Sequence, residues 1–162
     1  EIAKAFVKGG IQPKRSMLFV LFASEEQGLN GAKHFVESWK NGYDKITAMI
    51  NLDCIGYGDS IQIGNGKSAP KLWDIANEID ETSFNSMVDR TWSGGGADAT
   101  PFFEKGIPCL YFVTTNSYDH LHLPSDKVET LNPTLFEKVV KLAHLTALEI
   151  ANGNYEREEL MK

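Results

Sequence analysis

Met17-Leu-Phe-Val-Leu-Phe-Ala23 is a continuous apolar run with no polar alternation. Such a run fits a strand covered on both faces, the habit of parallel sheets, and it predicts a buried strand here. Upstream, Ile2 to Val7 reads as the end of a helix closed by Gly9 and Gly10. Downstream, Ala32, Phe35, Val36 and Trp39 recur at helical spacing, so Leu29 to Trp39 is expected to be helical. Ile46 to Leu52 and Ile107 to Val113 are further apolar strands, and Ser60 to Ile63 is a short one set between glycines.

Three more helices complete the pattern. Ala69 to Ile79 carries Pro70 in its first turn, with Leu72, Trp73, Ala76 and Ile79 on one face. Thr100 to Lys105 is a short helix, and a long amphipathic one, capped by Asn132 or Thr134, runs through Leu135, Val139, Leu142 and Leu145 to Ile150. Gly94-Gly95-Gly96 reads as a flexible turn, Asn116 to Glu129 as irregular, and the charged tail from Asn152 is expected to fray. Strands alternating with helices predict an α/β fold, a mostly parallel sheet flanked by helices on both faces, in one domain over residues 1–162. The chain opens at Glu1, inside a helix, and its strands alone would make a narrow sheet with an unfinished edge. The expectation is a fold truncated at its N-terminus.

Composition narrows the function classes. The 162 residues are 42% hydrophobic and 23% charged, which excludes a disordered tail, a collagen-like fibre or a coiled coil. The net charge of −6, with no basic stripe, argues against a nucleic-acid partner. No unbroken apolar stretch reaches the roughly 18 residues a membrane-spanning helix needs. Cys54 and Cys109 sit in apolar stretches at a spacing that matches no metal motif, so they read as buried free thiols.

Ligands of open α/β sheets bind beyond the carboxyl ends of the strands. Ser24, Glu25 and Glu26 follow the first strand, Asp53 follows the second, and the loop after Ile107 to Val113 holds Asp119, His120, His122 and Asp126. Carboxylate oxygen and imidazole nitrogen are ligands for zinc and other divalent first-row metals. Crowded carboxylates repel unless a cation joins them. Glu25 and Glu26 can both enter such a site only if the chain turns sharply, which Gly28 and Gly31 allow. One glutamate could then hold metal while the other accepts a proton. Each residue taken singly has a plainer reading: a helix cap for the acids, a solvated loop side chain for His122. His34 and His144 fall on helices and read as packing or surface residues.

Four segments carry a resemblance. FASEEQGLNGAKHF (Phe22 to Phe35), INLDCIG (Ile50 to Gly56), GGGADATPFFEKGIP (Gly94 to Pro108) and HLPSDKVETLN (His122 to Asn132) occur in this order over nearly the whole chain. Together they resemble the two-zinc exopeptidases of clan MH, the family of bacterial leucyl aminopeptidases, glutamate carboxypeptidase and glutaminyl cyclase. The resemblance implies the C-terminal part of a catalytic domain with Glu25 as general base, Glu26 as ligand to one zinc, and Asp53 with His122 as ligands to the other. It further implies Asp126 as a group supporting His122. Asp98 matches an acidic position of the motif, but Ala99 stands where the family has His. The family's upstream His-x-Asp segment has no counterpart, since no His precedes Glu25. What the resemblance implies is a zinc-dependent aminopeptidase acting on peptides by metal-activated water, and a secreted or periplasmic protein. Two alternatives stand beside it: glutaminyl cyclase-like acyl transfer, and a non-catalytic fragment or interaction domain. No motif marks side-chain preference or oligomeric state.

Overall fold

The computed structural model describes residues 1–10 and 12–161. Three strands, β1 (Met49–Leu52), β2 (Ile61–Gly64) and β3 (Cys109–Thr114), form a sheet in the order β1-β3-β2. β3 pairs with β1 in parallel and with β2 in antiparallel, so the sheet is mixed. Among the described residues, five α-helices surround it: α1 (Ile2–Lys8), α2 (Asn30–Ser38), α3 (Pro70–Ser83), α4 (Thr100–Glu104) and α5 (Pro133–Ala151). Each of α3, α4 and α5 has proline in its first turn, where a missing N–H costs nothing. Of the two candidate caps for α5, Asn132 is the one used, accepting from Leu135 N at 3.1 Å.

Alternation along β3 divides the core. Leu110 and Phe112 pack with Ile61, Ile63, Leu72, Val139 and Leu142, joining the sheet to α3 and α5. Cys109 joins Ala32, Val36, Ala99, Phe102 and Ile107, between α2 and α4. Helices therefore cover both faces, as the sequence predicts. Fully burying one of these large side chains contributes about 1.5–3 kcal/mol. No helix among the described residues is long and apolar enough to cross a membrane.

Two expectations fail. Met17 to Phe22 forms no regular element and joins no sheet, and Leu18, Phe19 and Leu21 are exposed, Leu21 fully. The run has the composition of a buried strand, but burial needs neighbours, and among the described residues none offers Met17 to Phe22 a backbone partner. Only its end is held: Gly31 N donates to Ala23 O at 3.0 Å, and Phe22 packs against Phe35 and Phe102. The tail, expected to fray, is docked instead. Tyr155 and Glu158 are buried, and Met161 N donates to Ser68 O at 2.8 Å. Glu158 accepts from Lys71 N and Leu72 N, supplying the cap that α3 lacks in its own sequence.

Candidate metal centre

The turn after Ala23 is built from backbone in unusual conformations. Ser24 and Leu29 adopt left-handed φ of 59° and 62°, and Gly28 sits at φ 98°. Leu29 N and Gly28 N both donate to Glu25 O, which folds the chain back before α2. Gly31 permits the close return, because a Cβ there would lie 2.5 Å from Ala23 O. The expected sharp turn is present, and it carries Glu25 and Glu26 side by side. Left-handed non-glycine residues cost about 1–3 kcal/mol each and persist where the surroundings over-determine them.

Asp53 stands at the carboxyl end of β1, its N–H donating to Phe112 O at 3.2 Å. The next residue, Cys54, is left-handed at φ 51°, and its carbonyl accepts from Thr114 Oγ1 at 2.9 Å. The Thr114 hydroxyl also reaches the Tyr57 carbonyl, so β3 anchors the loop that presents Asp53. His122 lies in the loop after β3, also left-handed at φ 60°.

These segments converge. His122 Nε2 lies 2.6 Å from Glu26 Oε1, although the two residues are far apart in sequence. Both side chains are exposed, so the pair is open to solvent and weak as an isolated ion pair. Burial pushes the Glu25 carboxyl above its ordinary value, and repulsion from Glu26, Asp53 and Asp98 pushes it further, against an opposing contribution from His122. Asp98 is raised by burial and by Asp53, and its Oδ1 is buried without a partner among the described residues. Four carboxylates and one imidazole thus share a region whose mutual repulsion a cation would relieve.

The donor types suit a divalent metal. Two ligands of one tetrahedral zinc stand roughly 3.3 Å apart, given bond lengths near 2 Å, so the Glu26–His122 hydrogen bond spans less than a shared ion would require. Among the described residues, no three His, Cys, Asp or Glu side chains close around one point. The chain offers a joined pair, Glu26 with His122, and a neighbouring Asp53, where the resemblance couples His122 with Asp53.

Other expected groups stand apart. Among the described residues no hydrogen bond joins Asp126 to His122, and the Asp126 N–H donates to Leu123 O. His120 bonds Ser125 through Nδ1 at 3.0 Å and meets the Tyr57 ring edge-on. His34 is exposed on α2, and His144 packs against Phe6. The glycine turn is packed at two of its three residues, Gly95 against Thr100 and Gly96 against the Tyr111 ring, while Gly94 is open. Tyr111 was not singled out by the sequence, yet its hydroxyl reaches Asp53 Oδ2 at 3.5 Å. The available signal was a phenol inside an otherwise apolar strand, which needs a polar partner when buried.

Comparison with known proteins gives the family of the chain. The family model described as peptidase family M28 matches residues 1–147. A probable zinc metalloprotease of Phaeosphaeria nodorum is 28% identical over 94% of this chain and 40% of its own length. A probable leucine aminopeptidase of Arthroderma benhamiae is 25% identical over 90% of this chain and 42% of its own. The chain thus spans about two fifths of the length of these curated relatives. In fold it is similar to the LapA aminopeptidase of Legionella pneumophila, with a TM-score of 0.81 and 23% identity, over 93% of this chain and 43% of that one.

Proposed function

The chain belongs to peptidase family M28, and from that premise we propose that the protein is a zinc-dependent aminopeptidase, with residues 1–162 as a single portion of its catalytic domain. The observation that carries this reading is the contact of His122 Nε2 with Glu26 Oε1 from distant segments, with Glu25 and Asp53 near enough for their charges to repel. The names of the curated relatives, a zinc metalloprotease and a leucine aminopeptidase, support the metal and the reaction class.

Glu26 and His122, which the structure joins, would hold one zinc, and Asp53 the second, further donors being needed to complete each set. Bound zinc supplies polarisation of the scissile carbonyl and of the attacking water. Glu25 then takes the water's proton on its carboxylate and passes it to the leaving amine. Burial, the first cause that holds the Glu25 carboxyl above its ordinary value, makes it a stronger base for that step. The substrate would be a peptide.

The test is Glu25→Gln in the whole protein, assayed on amino-acid amides and on a peptide that begins with glutamine. Turnover should fall by about 100-fold or more, as for loss of a general base, while the zinc content stays that of the wild type. Near-normal hydrolysis would remove Glu25 from the role. Cyclised product from the glutamine-first peptide, without hydrolysis, would overturn the aminopeptidase assignment in favour of acyl transfer.

A further inference from the structure

We propose that Tyr111 is a positioning residue for Asp53, fixing the direction of the carboxylate that the reading above gives to zinc, and the proposal rests on that reading. The strand register sets the two residues together. Tyr111 is the β3 partner of Asn51 on β1, and Asp53 lies one same-face step beyond Asn51. The Tyr111 hydroxyl therefore arrives beside Asp53 from the neighbouring strand and donates to Oδ2 at 3.5 Å.

β3 already fixes the backbone on both sides of that carboxylate. Asp53 N donates to Phe112 O, and the Cys54 carbonyl accepts from Thr114. The freedom that remains is rotation of the Asp53 side chain, and the phenol restricts it. At 3.5 Å the contact is long for O–H···O, so its value lies in the rigidity of the donor. Tyr111 is only 6% exposed. Trp92 meets its ring edge-on, with centroids 5.9 Å apart, and Gly96 closes the other approach, since a Cβ there would fall 2.5 Å from Tyr111 Cδ1. Phenylalanine would fill the same volume as tyrosine, and the hydroxyl it lacks is the group that faces Asp53 and, beside it, Tyr118. A hydrogen-bond partner behind a metal-ligating carboxylate gives a reason for that hydroxyl, because such outer contacts orient the ligand.

The experiment compares wild type, Tyr111→Phe and Asp53→Asn in the whole protein, measuring the zinc dissociation constant by chelator competition and the melting temperature of the zinc-free form. Tyr111→Phe should weaken zinc binding by about tenfold, the lower end of what loss of an outer-shell partner costs, with the zinc-free melting temperature unchanged. Unaltered zinc affinity in Tyr111→Phe, beside a clear loss in Asp53→Asn, would overturn the positioning role while leaving the metal site intact. Unaltered affinity in Asp53→Asn would overturn the ligand reading itself. A zinc-free form of Tyr111→Phe that melts well below wild type would assign the hydroxyl to packing and overturn the proposal by another route.

Discussion

At the level of single residues, Cys54 shows how the site's surroundings govern its chemistry. Burial, and then the Asp53 charge beside it, push its thiol up to about 12. An unfolded cysteine titrates at about 8.5, so between those two values the unfolded chain has released a proton that the folded chain keeps. Stability from this group is fully present below about pH 8.5 and is lost as pH rises through that window. In the zinc-free chain, the urea midpoint should therefore fall between pH 7 and pH 10, and the fall should be smaller in Cys54→Ser. An equal fall in both would assign the alkaline loss to other groups, such as the buried Cys109, which burial also raises. The sequence marked Cys54 and Cys109 as buried free thiols; both are free, but only Cys109 is buried and Cys54 is half-buried. It did not show how far burial, with the Asp53 charge beside it, would raise the Cys54 thiol.

Among the elements, helix positions were legible because periodicity and proline are local. α2 and α3 fall where the apolar spacing placed them, with α3 running on to Ser83. The α3 cap was not legible, since it comes from Glu158, far along the chain, and Ala69 at the N-cap position offers no side-chain acceptor. Glu158 is buried and also accepts from the Tyr155 hydroxyl at 3.2 Å. Glu158→Ala leaves two helix N–H groups and that phenol without their acceptor, and should cost about 1–3 kcal/mol. Urea unfolding read by circular dichroism checks this, and an unchanged midpoint would mean that the tail does not clasp α3 in solution. The run from Met17 to Ala23 failed as a strand prediction for the opposite reason: its apolar character is local, but pairing is not.

At the scale of the molecule, that same run leaves a row of exposed apolar side chains outside the sheet. Exposed apolar surface of this kind favours association with another chain. Leu18 and Leu21 are both exposed and make no part of either core cluster. The 162-residue chain should self-associate at micromolar concentration and bind a hydrophobic dye, and Leu18→Lys with Leu21→Lys should suppress both. Sedimentation of the wild-type chain as a monomer without dye binding would show that the run is covered in solution.

The sequence by itself determined the α/β class, the helix positions, and the place of Asp53 at the end of a strand. These follow from periodicity and composition, which act over a few residues. Only the tertiary structure decided that His122 meets Glu26, that β2 runs antiparallel, that Tyr111 backs Asp53, and that the tail locks α3. Each of those is a contact between distant segments, set by which surfaces remain to be buried once the local elements have formed.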